Sequence, residues 1–207
     1  MSPSQLIIFL KKPAAGRVKT RLADTIGSEK AVELYLALIK HTFTEASKLA
    51  AQYEGGRIDV AVYADTAIER REEFPVEIPE NFGLYVQQGE GLGTRMKNAF
   101  AEGFREGFKS QIIIGSDCPE LVSGHLKQAF DAIRATDTVI GPARDGGYYL
   151  LGMKKLHPAL FELQAWSHEK VFEQTLHRIR AHQLSYTQLE ELSDVDTAED
   201  LQRLGLS

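Results

Sequence analysis

Gln111-Ile112-Ile113-Ile114-Gly115, followed at once by Ser116-Asp117-Cys118-Pro119-Glu120-Leu121, is the stretch on which the reading of this chain turns. A short apolar run without polar alternation, closed by a polar turn, is the pattern of a strand buried on both faces. Sheets of that kind bind ligands in the crevice beyond the carboxyl ends of their strands. Asp117 therefore stands at the mouth of such a crevice. A hard oxygen ligand there suits Mg²⁺ or Mn²⁺ holding a diphosphate. The competing reading makes Asp117 a helix cap, since an acidic residue before proline is common at a first helical turn. Cys118 is read as a packing residue, because a nucleophilic thiol needs a base and an orienter and no histidine is placed for it by spacing.

Working outward, Leu6–Leu10, Ile58–Tyr63, Gly83–Gln87, Thr138–Gly141 and Tyr148–Met153 read as further strands. Between them lie helical stripes: residues 28–50, with Ser28 as N-cap; Leu92, Met96, Ala99, Phe100 and Phe104; and Val122, Leu126, Ala129, Phe130 and Ile133. Glu169–Ala181 and Thr197–Leu204 complete the helices. Apolar strands alternating with amphipathic helices imply βαβ units, that is, an α/β domain with a mostly parallel sheet between helices. With 207 residues, 43% apolar and 26% charged, the composition is that of a globular chain. One domain spanning 1–207 is expected. The charge balance of 24 basic against 29 acidic residues, a net of −5, and the lack of any Lys/Arg-rich run argue against a general nucleic-acid binder. One cysteine excludes an intramolecular disulfide framework. The five-residue apolar run at Leu6–Leu10 is too short for a signal peptide or a membrane span, so a soluble, cytoplasmic protein is expected, with no membrane partner.

The segments after the strands carry the chemistry. Residues 11–21 hold five cations (Lys11, Lys12, Arg17, Lys19, Arg21) with Pro13 and Gly16 shaping the backbone. Glycine lets main-chain N–H groups approach an anion, and the cations neutralise phosphate; the plain alternative is a solvated basic loop. Neither the Walker nor the Rossmann glycine pattern is present. Gly89-Glu90-Gly91-Leu92-Gly93-Thr94-Arg95 opens a long helix whose N-terminus could carry an anion or a ribose, or could simply be a tight turn. Asp145-Gly146-Gly147-Tyr148 makes a tight turn that could also leave room for a substrate, with Asp145 on its hydroxyls. In Asp194-Val195-Asp196-Thr197, two carboxylates at i and i+2 of an extended stretch project to one side and could share a cation with Asp117, while Asp196 or Thr197 caps the last helix. The six histidines show no zinc spacing. Trp166 and His168 fall in a loop, where the indole could stack on a sugar or belong to the core.

Five ordered motifs, from Phe9–Leu22, Gly89–Met96, Ile114–Leu121, Asp145–Gly152 and Asp194–Leu201, resemble the radical-SAM/selenodomain-associated transferases, also labelled glycosyltransferases of the arsenosugar-biosynthesis type. The resemblance implies the GT-A, nucleotide-diphospho-sugar transferase fold. It implies a phosphate cradle at Lys11, Gly16, Lys19, Thr20 and Arg21, with Gly91, Gly93, Arg95 and Ser116 also on the nucleotide. It implies a divalent metal on Asp117 with Asp196 or Asp194, and a substrate pocket at Asp145, Gly146, Gly147, Tyr148 and Trp166. Gly91–Met96 has the letters of the pyrophosphorylase signature but lies far downstream of the first loop, so it is not read as that signature. The expected activity is metal-dependent transfer of a glycosyl group from a nucleotide sugar to a small acceptor, with Lys19 and Arg21 stabilising the leaving group and Asp145 serving the acceptor. Two alternatives stand beside it: a nucleotidylyltransferase like the phospholactate or molybdenum-cofactor guanylyltransferases, and a non-catalytic nucleotide-binding module. Nothing in the sequence speaks to oligomeric state.

Overall fold

The computed structural model describes residues 3–162, 166 and 169–205. In chain order the elements are β1 (Ser4–Leu10), α1 (Thr20–Ile26), α2 (Ser28–Gln52), β2 (Ile58–Ala64), β3 (Gly83–Val86), α3 (Gly91–Arg105), β4 (Ser110–Ile114), α4 (Ser123–Ile133), β5 (Thr138–Pro142), β6 (Tyr148–Met153), α5 (Val171–Ala181), β7 (Tyr186–Gln188) and α6 (Ala198–Leu204). Two short 3₁₀ turns, Arg71–Glu73 and Pro158–Phe161, lie in the connections. The strands form one seven-stranded sheet in the order β3-β2-β1-β4-β6-β5-β7.

The apolar runs at β1 and β4 have a direct cause in this sheet. Leu6, Ile8 and Leu10 pack into the cluster on the α2/α4 face, whereas Ile7 and Phe9 pack into the cluster on the α3/α5 face. Both faces are covered, so neither strand has a polar side. Each fully buried Leu or Ile contributes about 1.5–3 kcal/mol, which makes these two strands the anchor of the sheet. They pair parallel in register Ser4 to Ser110 through Ile8 to Ile114, so both end at the same edge.

The α/β sandwich is as expected, with β1, β2, β3 and β4 mutually parallel. The exception is β6, antiparallel to both β4 and β5. A connection as short as residues 143–147 cannot return the chain to a parallel neighbour, so the Asp-Gly-Gly turn reverses it.

Other expectations need correction. Ser28 is the first helical residue of α2, not its cap; Gly27, at φ +88°, forms the corner between α1 and α2. Leu92, placed in the apolar stripe of α3, is 40% exposed and faces the cavities described below. Helix α1 and strand β7 were not anticipated: one begins inside what reads as a basic loop, and the other is three residues of mixed polarity. Among the described residues, no helix is long and apolar enough to cross a membrane.

Candidate active site

The site is built where β1 and β4 end. Lys19, the residue before α1, adopts left-handed backbone angles (φ 48°, ψ 43°). A non-glycine residue is held there only when its surroundings over-determine it. The determinant here is its side chain. With 3% exposure, it brings Nζ within 2.8 Å of Asp117 Oδ2 and 3.0 Å of Asp196 Oδ1. Burial works against the charged ammonium, but Asp117 and then Asp196 outweigh it and raise its pKa above the ordinary lysine value.

Asp117 is not a helix cap, since α4 starts six residues later, at Ser123 after Val122. Gly115 makes room for it: a Cβ there would lie 2.8 Å from Asp117 Oδ1. Ser116 is buried, its hydroxyl 3.1 Å from that of Tyr35 on α2. The Tyr35 hydroxyl also accepts from the Lys11 N–H at 3.0 Å, so one phenol ties the end of β1 to the end of β4. Cys118 is a buried packing residue, as expected; burial, with Asp194 next in weight, pushes its thiol up to about 12.

The late acidic segment is pinned against this edge. Leu192 N–H donates to Pro142 and Val195 N–H to Asp117 O at 3.0 Å, while Ser193 N–H donates to Glu120 Oε2 at 2.6 Å. Thr197 caps α6 in a reciprocal box with Asp200. Asp196 reaches Lys19, whereas Asp194 Oδ1 is buried with no hydrogen-bond partner among the described residues. Burial first, then the Asp117 and Asp145 carboxylates, push Asp194 up to about 8, with Lys19 offsetting part of this. Asp145 is exposed and accepts the Gly147 N–H at Oδ1, 2.8 Å.

Two cavities meet here. One, of about 260 Å³, lies among Tyr35, Gln87, Ser116 and Lys19. The other, of about 540 Å³, reaches Asp145, Asp194, Tyr148 and Trp166. Lys11, Leu92, Asp117 and Asp196 line both.

The expected residues thus divide. Lys11, Lys19, Ser116, Asp117, Asp145, Gly147, Tyr148, Trp166, Asp194 and Asp196 converge on the cavities, and Arg21 borders the larger one. Gly16 and Gly91 are exposed at φ +74°, with open space beside each, and Thr20 is exposed at the start of α1. The basic loop is not five free cations: Lys19 is engaged as described, and Arg17 pairs with Asp65 at 3.8 Å. Arg95 is spent on its own loop, donating to Gly89 O at 3.1 Å and reaching Gln87. Gly93 does not offer its backbone to a ligand, because Trp166 lies over it; a Cβ would come within 2.4 Å of the indole. Gly146 seats the turn against the start of α5: its carbonyl accepts from Phe172 N–H, and a Cβ would strike the Glu169 carbonyl. His168 lies outside the described residues. Sequence reasoning gave no role to Tyr35, Gln87 or Glu120: the first sits in a helical apolar stripe, the second ends a predicted strand, and Glu120 lies within the Ile114–Leu121 motif, where nothing local points to its contact with Ser193.

A divalent cation fits this edge on the chemistry of its donors. Asp117 and Asp196 already converge on one positive centre, the Lys19 ammonium, and the Asp194 oxygen beside them has no partner among the described residues. Among the described residues, no three His, Cys, Asp or Glu side chains are gathered into a ready-made metal cluster, so the expected three-carboxylate set is not assembled around one point.

A family model described as an uncharacterized protein conserved in bacteria, DUF2064, matches residues 48–168. A crystal structure from Desulfovibrio desulfuricans G20, provisionally designated a nucleotide-diphospho-sugar transferase, superposes with a TM-score of 0.88 at 32% identity, covering 99% of this chain and 87% of that one. Rv0371c from Mycobacterium tuberculosis, solved in complex with manganese, superposes at 0.56 with 15% identity over 100% of both chains. CMP:2-keto-3-deoxy-manno-octonic acid synthetase, complexed with CTP, superposes at 0.58 with 12% identity over 98% of this chain and 97% of that one. The last two share the fold alone. No functionally curated protein matches the sequence.

Proposed function

The chain belongs to the bacterial DUF2064 family, with the fold of the nucleotide-diphospho-sugar transferases, and from that premise we propose that it is a metal-dependent transferase moving a glycosyl group from a nucleotide sugar to a small acceptor. The observation that carries the reading is the convergence of Asp117, Asp196 and Lys19 at the junction of two cavities beyond the ends of β1 and β4. The smaller cavity takes the nucleoside and the larger one the acceptor, so the diphosphate lies between them. Asp117 and Asp196 would hold Mg²⁺ or Mn²⁺, with Asp194 adjacent. That ion, when bound, neutralises the diphosphate and stabilises its departure. Lys19, held at the same point, would supply positive charge to the phosphates beside it. Lys11 and Arg21 add positive charge from the flank. Asp145, fixed by the Gly147 N–H, orients an acceptor hydroxyl and takes its proton.

Product analysis tests this. The protein is incubated with Mn²⁺ and a panel of nucleotide sugars or nucleoside triphosphates. Release of nucleoside diphosphate from a sugar nucleotide is the expected result. Pyrophosphate release from a triphosphate would replace glycosyl transfer by nucleotidyl transfer, and binding without turnover would leave a nucleotide-binding module.

A further inference from the structure

The larger cavity has two unlike walls. One is apolar: Leu92 and Trp166 present surface to it, and Met96 and Val171 lie behind them. The other is acidic, made by Asp145, Asp194 and Glu169. Among its described lining residues the cations are Lys11 and Arg21, both from the segment after β1, and Lys11 is shared with the smaller cavity. Among the described lining residues, positive charge enters this cavity only from that segment, while Arg144 and Arg203 lie on the far side of the carboxylates, paired with Glu191 and Asp200. Among the described residues, the buried Asp194 Oδ1 has no hydrogen-bond partner, and one Asp145 oxygen is left over after the Gly147 N–H takes the other. A buried polar atom without a partner carries a desolvation cost that a ligand donor removes.

Resting on the transferase reading, we propose that the acceptor is a non-anionic molecule that presents hydroxyl donors to Asp145 and Asp194 and an apolar face to Trp166. The ring C–H face of a sugar or an aryl group suits the indole, and hydroxyls suit the carboxylates. A phosphate monoester, the second substrate that nucleotidyl transfer requires, would set its negative charge against the Asp145 and Glu169 carboxylates, and like charges in a partly desolvated cleft are rejected.

Trp166 is the chain's sole tryptophan, so its fluorescence reports this cavity. The probes are phenyl β-D-glucoside and the same compound carrying a 6-phosphate, which differ in one charged group. The glucoside should change Trp166 emission saturably, and the phosphate should bind about tenfold or more weakly. Asp145→Asn should narrow that gap severalfold, as should added salt, which screens the repulsion. Equal or tighter binding of the 6-phosphate overturns the proposal, as does a glucoside that leaves Trp166 unperturbed. Calorimetry with a nucleoside diphosphate and Mn²⁺ is run separately. Loss of that binding, with the glucoside preference intact, would remove the transferase reading and leave the cavity's selectivity standing.

Discussion

Replacing Lys19 by Gln removes the positive charge between Asp117 and Asp196. At an effective dielectric of about 20, each contact near 3 Å is worth about 6 kcal/mol of gross attraction. Desolvation of the ammonium cancels much of that, and removing one partner of a buried pair costs about 3–5 kcal/mol net. The carboxylate side chains here are 41% and 48% exposed, so water recovers part of their solvation in the variant. The expected loss is about 2 kcal/mol, which for a chain of this length lowers Tm by about 4–8 °C. The assay is thermal unfolding in EDTA. Mn²⁺ should then raise Tm more in the variant than in the wild type, because it no longer has to displace an ammonium. At a hundredfold excess over Kd, binding adds about 2.7 kcal/mol. A variant as stable as wild type in EDTA, or one that Mn²⁺ stabilises no more than wild type, would refute the counter-ion argument.

Asp145→Asn keeps the oxygen that accepts the Gly147 N–H but loses the base, so turnover should fall about 10²–10⁴-fold, with nucleoside-diphosphate affinity unchanged within a few fold; an active variant would assign the proton elsewhere. Gly146→Ala must adopt φ +86° and place its Cβ against the Glu169 carbonyl, so urea titration should show a loss of more than about 2 kcal/mol, and a smaller loss would mean the turn is loosely seated. Cys118, with its thiol pushed up to about 12, should resist a thiol reagent at pH 8 until the chain unfolds; rapid labelling of native protein would contradict its burial.

What was legible in the sequence followed from burial on two faces. The runs at Leu6–Leu10 and Gln111–Ile114 had no polar side because both faces are covered, and that placed Asp117 at the crevice. The orientation of β6 was not legible as a pattern, since an apolar strand reads the same in either direction; only the length of the Asp145–Gly147 turn determines it. Side-chain partnerships across the fold were also hidden. Lys19 and Arg17 look alike in a basic run, yet one is buried between carboxylates 98 and 177 residues away and the other rests on Asp65. Tyr35 keeps an ordinary place in a helical stripe while its hydroxyl joins two strand ends. Gly93 read as a nucleotide-binding glycine, but its missing side chain makes room for Trp166, a contact no local spacing encodes.

The central claim is that Asp117 and Asp196 bind a divalent cation that holds the nucleotide's diphosphate. Calorimetric titration of a nucleoside diphosphate into wild type, Asp117→Asn and Asp196→Asn, each with Mn²⁺ and with EDTA, tests it most directly. Mn²⁺-dependent binding in the wild type, weakened about tenfold or more in each variant and in EDTA, is the predicted result. Binding of equal strength in EDTA, or undiminished Mn²⁺ dependence in both variants, would contradict it.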